Sequence, residues 1–217
     1  TSSATVTIAQ STLPDFTAKL STGEVDIGIA YELGEWDLHL HDEVADIEYA
    51  PNEALLTIGK EGLVSRTGVY ANSAYDFLGV PNGVSFFVLP ETENPNLLYL
   101  GVGAEELADD LFKDNMVSFR LASVTGPGHF SMWQDGNTPT TPMVKMASVD
   151  GIDADDAFSV AAGSHQHVNF AFSRAGTYLV SFFVDAFDHL LTEVEKDSEM
   201  VTYYFQVREP SLVPFAL

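Results

Sequence analysis

Residues 24–42, EVDIGIAYELGEWDLHLHD, constrain this chain more than any other stretch. Val25, Ile27, Ile29 and Tyr31 alternate with Glu24, Asp26, Gly28 and Ala30; Trp36, Leu38 and Leu40 alternate with Asp37, His39 and His41. A period of two marks a β-strand, because successive side chains leave opposite faces. The connection Glu32-Leu33-Gly34-Glu35 has a common hairpin length. With Tyr31 opposite Trp36, Asp26 falls opposite His41, and Gly28, which has no side chain, falls opposite His39. One face of the hairpin is then apolar. The other carries Glu24, Asp26, His39 and His41, with both the ligands and the room for a metal ion.

A distant segment repeats the pattern. In residues 164–172, SHQHVNFAF, Val168, Phe170 and Phe172 suit a core, while His165, His167 and Asn169 share the opposite face. Imidazoles two residues apart on a strand are roughly 6.5–7 Å apart at the backbone and can converge on one ion. Four of the six histidines thus lie in two His-x-His pairs, which predicts that two distant strands bring their rings to a common point.

Composition narrows the chemistry. The chain has no cysteine, so disulfides, thiolate metal sites and cysteine nucleophiles are excluded and any metal is held by nitrogen and oxygen. Its 32 acidic and 9 basic residues give a net charge of −23, spread along the sequence. Such a surface repels nucleic acid and anionic lipid and concentrates cations; it equally suits a protein kept soluble in salty water. No apolar run is long enough for a transmembrane helix. A Ser/Thr-rich start without an initiating Met predicts a mature exported protein or a trimmed chain.

Taken in order, strands are expected at 5–9, 47–49, 54–58, 84–89, 97–100, 117–124, 143–149, 177–184 and 200–207, with a turn at Pro81-Asn82-Gly83 and a tight turn at Gly126-Pro127-Gly128 before His129. Residues 103–112, with Glu105 and Glu106 in the first turn and Leu107, Leu111 and Phe112 apolar, are the best short helix. Many short strands, frequent Gly/Pro turns and little helix predict a mainly β protein. The expected architecture is an antiparallel β-sandwich with elaborated loops and at most one or two short helices. Residues 1–208 are expected to form one domain and residues 209–217 a C-terminal tail.

Phe77-Leu78-Gly79, Leu100-Gly101-Val102-Gly103-Ala104-Glu105, Gly126-Pro127-Gly128 and His165-x-His167-x-Asn169-x-x-Phe172-x-x-x-Gly176-x-Tyr178 together resemble the surface-anchored repeat domain of actinobacteria, the choice-of-anchor M domain. The resemblance covers roughly residues 23–184. Members usually open with Gly-His-Val-Asp; here Gly23-Glu24-Val25-Asp26 puts Glu where His stands, and a carboxylate can still ligate. The resemblance implies a bacterial surface location and, for some members, association with metal-type transporters. The Trp-Asp-Leu-His-x-His element is also similar to exported proteins made under metal limitation, such as the copper-repressible surface proteins of methane oxidisers. In those, histidines hold copper beside an oxidised tryptophan, a role that would fall here to Trp36 or Trp133.

The expected metal ligands are therefore His39, His41, His165 and His167, with Asp26 and Glu24 as further ligands or acceptors that fix a ring tautomer, and His129 reaching in after its turn. Neutral imidazole suits zinc or copper. His189, in an acidic connection, is read as exposed. Asp150, Asp153, Asp155 and Asp156 are read as a solvated acidic loop, or alternatively as a calcium loop. No hydrolase or phosphate-binding motif is present, so catalysis is not expected. The function expected is a secreted or cell-surface protein that binds zinc or copper for acquisition or storage, with a transporter or matrix partner; the alternative is a structural or adhesive surface module, calcium-stabilised, in which the histidines serve folding.

Overall fold

The computed structural model describes residues 8–9, 12–138, 140–187 and 195–209. The chain lays down β1 (Ala18–Leu20), β2 (Gly23–Glu32), β3 (Glu35–Asp42), β4 (Ile47–Tyr49), β5 (Ala54–Ile58), β6 (Leu63–Ser65), β7 (Ser85–Leu89), β8 (Leu98–Gly103) and β9 (Met116–Thr125). There follow β10 (Phe130–Gln134), β11 (Met143–Ala147), β12 (Ala157–Ala161), β13 (His165–His167), β14 (Asn169–Phe172), β15 (Gly176–Phe187), β16 (Glu195–Asp197) and β17 (Val201–Val207). The mainly β, sandwich-like class expected from the sequence is the class found. Helical segments among the described residues are short 3-10 turns at Lys60–Gly62, Gly68–Ala71, Ser73–Leu78 and Lys113–Asn115. The expected strand at 5–9 falls largely outside the described residues, as do His189 and the tail beyond residue 209.

The strands form three sheets. The large sheet runs β1-β5-β17-β15-β9-β12 with β16 on β15, the second runs β11-β10-β14-β7-β6, and the third, the histidine sheet, runs β13-β8-β2-β3-β4. The sheets are not all antiparallel: β1 and β17 both pair parallel to β5, and β2 pairs parallel to β8. Parallel neighbours need long crossovers. The chain supplies them here, because about sixty residues separate β2 from β8.

The hairpin forms in the register its alternation implies: Tyr31 faces Trp36, Gly28 faces His39 and Asp26 faces His41. Glu32 and Glu35 also pair, so the connection is only Leu33 and Gly34, at φ of 53° and 91°. Two positive φ values are what a type I′ hairpin turn demands, and such a turn matches the twist of the strands it joins. The apolar face of the hairpin, Val25, Ile27, Ile29, Leu38 and Leu40, is buried in a core shared with Phe119, Phe158, Phe182 and Tyr203 of the large sheet or Phe130 and Phe170 of the second. A smaller cluster holds Trp133 with Tyr75, Leu78 and Phe86.

Two local expectations are corrected. Residues 103–112 do not form a helix. Gly103 ends β8, the Ala104 N–H donates to Ser164 O (2.8 Å), and the Ala104 carbonyl accepts from Gly163 N–H (2.8 Å) and Leu107 N–H (3.2 Å). The backbone at the would-be first turn is therefore tied to the segment before β13, and Asp110 takes a left-handed φ of 62° that no α-helix allows. Leu107 and Phe112 are still buried, as their apolar character requires.

The second correction concerns residues 164–172, which are not one strand. The chain changes sheets at buried Val168: His165–His167 pairs with β8 of the histidine sheet, and Asn169–Phe172 pairs with β10 and β7 of the second. Asn169 consequently parts from the histidines. Its Oδ1 accepts from Glu91 N–H (3.1 Å), and its Nδ2 donates to Glu91 Oε2 (3.1 Å) and Trp133 O (3.3 Å).

Candidate metal centre

Strand pairing puts two rows across one face of the histidine sheet. His167 pairs with Gly101, Gly101 with Asp26, Asp26 with His41 and His41 with Glu48; one pleat along, His165 pairs with Gly103, Gly103 with Gly28 and Gly28 with His39. Three of the inner positions are glycine, so the face is hollow between its outer strands. A Cβ on Gly101 would lie 2.0 Å from Asp26 Oδ1, and one on Gly28 would lie 2.2 Å from His39 Nε2. Only glycine lets the carboxylate and the ring lie flat across the sheet at these two points.

His165, His167, Glu24, Asp26 and Glu105 come together at the β13 side of this hollow. One ligand atom each of Glu24, His165 and His167 lie within 4.8 Å of one another, and so do one each of Asp26, Glu105 and His165. The His167 Nε2–H donates to Glu24 Oε1 (3.1 Å) and the His165 Nδ1–H donates to Glu105 Oε1 (3.0 Å). Tyr99, beside Glu24 in the next strand, stacks on the His167 ring with centroids 3.4 Å apart and planes 8° from parallel. The ring is thus clamped between a flat neighbour and a carboxylate.

Asp26 is the least solvated carboxylate of the set, 3% exposed, and its Oδ1 is buried with no hydrogen-bond partner. Burial pushes its pKa up to about 6, with the His165 and His167 imidazoles pulling it back down. His165 titrates above its ordinary value, chiefly because of its hydrogen bond to Glu105. His167 Nδ1 is also buried without a partner. Each of these unsatisfied buried polar atoms carries a desolvation penalty that a coordinated cation would relieve.

The other expected ligands divide. Asp26, Glu24, His165 and His167 are brought together; His39 and His41 are not part of that group. β3 and β13 are separated by β2 and β8, about 14 Å at the usual interstrand spacing, so four imidazoles cannot meet at one point. His41 Nδ1 lies 2.7 Å from Glu43 Oε1 and Nε2 lies 3.6 Å from Asp46 Oδ1, both in the turn after β3. Burial, the largest single influence, lowers the His41 pKa, but Glu43, Asp46 and Glu48 more than offset it and the net shift is upward.

His129 is elsewhere altogether. It precedes β10 in the second sheet, its N–H donates to Ser173 Oγ (2.7 Å), and its ring lies where a Cβ on Gly79 would be, 2.7 Å from Cδ2. Trp133 is sealed in the smaller core cluster, and Trp36 stacks on Phe112 at 5.0 Å. In the 150–156 loop, Asp156 Oδ1 accepts from Ala147 N–H (2.7 Å) and Oδ2 from Asp153 N–H (2.9 Å). Those carboxylate oxygens shape the loop.

Sequence reasoning missed Glu105 and Tyr99. Glu105 was hidden by the helical reading of 103–112. Tyr99 had a signal: Tyr99, Gly101 and Gly103 share one face of β8 at alternate positions, and paired glycines on a strand face mark close approach from above. Compared with known protein families, curated proteins and solved structures, the chain matches none.

Proposed function

We propose that this chain is an exported or cell-surface protein that holds a divalent metal ion, zinc or copper, between β2, β13 and the turn after β8, for acquisition or storage. His165 is the common ligand, joined by Glu24 and His167 in one candidate set and by Asp26 and Glu105 in the other. The observation that carries the reading is the buried, partnerless Asp26 oxygen beside two imidazoles already paired with carboxylates.

Two imidazoles with carboxylates and no thiolate or thioether suit zinc or cupric ion; cuprous ion prefers soft sulfur. A cation on the free ring nitrogen of each histidine would leave the His–Glu hydrogen bonds in place to fix the ring tautomers. The strongly acidic surface favours cation capture and disfavours a nucleic-acid partner. The resemblance to surface-anchored repeat domains agrees with an exported setting.

The test is a zinc and a copper titration of chelator-treated protein followed by elemental analysis. Wild type should retain metal through desalting, His165→Ala/His167→Ala should lose it, and His41→Ala should keep it. Metal retention unchanged in the His165/His167 double variant overturns the assignment.

A further inference from the structure

We infer that the same sheet face carries a second cation site, formed by His39, Glu48 and Glu106. None of its three ligands belongs to the first site, so the inference goes beyond the proposed function and does not depend on it.

One ring nitrogen of His39 and one carboxylate oxygen each of Glu48 and Glu106 lie within 4.8 Å of one another. The elements that bring them are separate in sequence. His39 comes from β3, Glu48 from the edge strand β4 and Glu106 from the turn after β8. A chance acidic cluster would leave the histidine solvated or hydrogen-bonded. His39 is largely enclosed: its side chain is 7% exposed, and its Nδ1 is buried with no hydrogen-bond partner.

The distances suit an intervening ion. His39 Nε2 stands 3.7 Å from Glu106 Oε1, too far for a hydrogen bond. Ligand atoms about 2.0–2.1 Å from a tetrahedral zinc lie roughly 3.3 Å apart, so a small inward movement of the two exposed glutamates closes the shell. Nδ1 stands 3.7 Å from Asp37 Oδ2. A cation on Nε2 would require the proton on Nδ1, and the exposed Asp37 carboxylate would accept it only after closing that gap. Gly28 supplies the floor on which the ring lies.

The ligand class is a divalent ion that accepts one imidazole and two carboxylates, with water in any remaining position; zinc fits best. Adjacent residues serve the two sites, since Glu105 reaches His165 and Glu106 reaches His39. The turn after β8 thus contributes one carboxylate to each.

The experiment counts zinc bound to the intact chain by native mass spectrometry and calorimetric titration at about 0.15 M salt, where surface attraction is screened. Wild type should bind two equivalents. Glu48→Gln/Glu106→Gln, which changes only exposed side chains, should bind one, with the weaker phase lost or reduced at least tenfold. His39→Ala should do the same. His165→Ala/His167→Ala should lose the other equivalent and keep this one. One equivalent in wild type, lost with His165/His167, overturns the second site and leaves the first standing. An unchanged count of two in the Glu48/Glu106 variant also overturns it. One equivalent lost only with His39 or Glu48/Glu106 overturns the first site and sustains the second, and no zinc in wild type overturns both.

Discussion

Asp26 is where residue-scale chemistry is most exposed to test. Its folded pKa, raised by burial to about 6 from an ordinary 3.8, means that the folded protein prefers the neutral acid. Below pH 3.8 the group is protonated folded or unfolded and costs nothing. As pH rises through the interval to about 6, the unfolded chain ionises first, and metal-free stability falls by up to about 3 kcal/mol. Asp26→Asn in chelator-treated protein should therefore be more stable than wild type at pH 7.5 and lose that advantage at pH 3.5, as chemical denaturation will measure. A gain equal at both pH values would show that the carboxylate is not strained by its burial. His165 and His167 were legible as candidate ligands because a His-x-His spacing is a local property. His39 was legible as a metal-type histidine, but not the company it keeps. His129 was misread because the turn before it delivers its ring to Gly79 of a different layer.

At the scale of elements, the hairpin β2–β3 was readable in its faces and register, since alternation fixes both, but its connection is two residues rather than the four expected. Its turn nevertheless breaks a local rule. Leu33 occupies a left-handed φ of 53° and is fully exposed, although the preceding and following strands demand Asn, Asp or Gly chemistry there. Leu33→Asn should raise stability by about 1 kcal/mol, seen as a higher urea midpoint at unchanged slope. A fall in stability would mean that Leu33 contacts something that the strands alone do not reveal. The 103–112 turn shows the opposite case. Its acids and apolar spacing agree with a helix, yet β8 and the 163–164 backbone claim its first hydrogen-bonding groups. Pairing with a sheet outweighs a weak propensity.

For the whole molecule, the decisive feature is the run from β12 to β15, which visits the large sheet, the histidine sheet, the second sheet and the large sheet again. β13 is only three residues long and is bound to the histidine sheet at one edge, so an ion shared with β2 would add a further link between segments about 140 residues apart. Free zinc at a hundredfold excess over its dissociation constant should stabilise the protein by about 2.7 kcal/mol per site, roughly 5–10 °C in Tm for a chain of this size. The shift should shrink in His165→Ala/His167→Ala, and equal shifts in both proteins would place the stabilising ion elsewhere. The sequence by itself determined the β class, the hairpin register and the exclusion of thiolate ligands, because strand periodicity and residue chemistry are local. Only the tertiary structure decided which candidate ligands come together. Glu105 and Glu106 arrive on a turn anchored by non-local hydrogen bonds, and β2 and β8, standing between the two histidine pairs, hold them too far apart for a single centre.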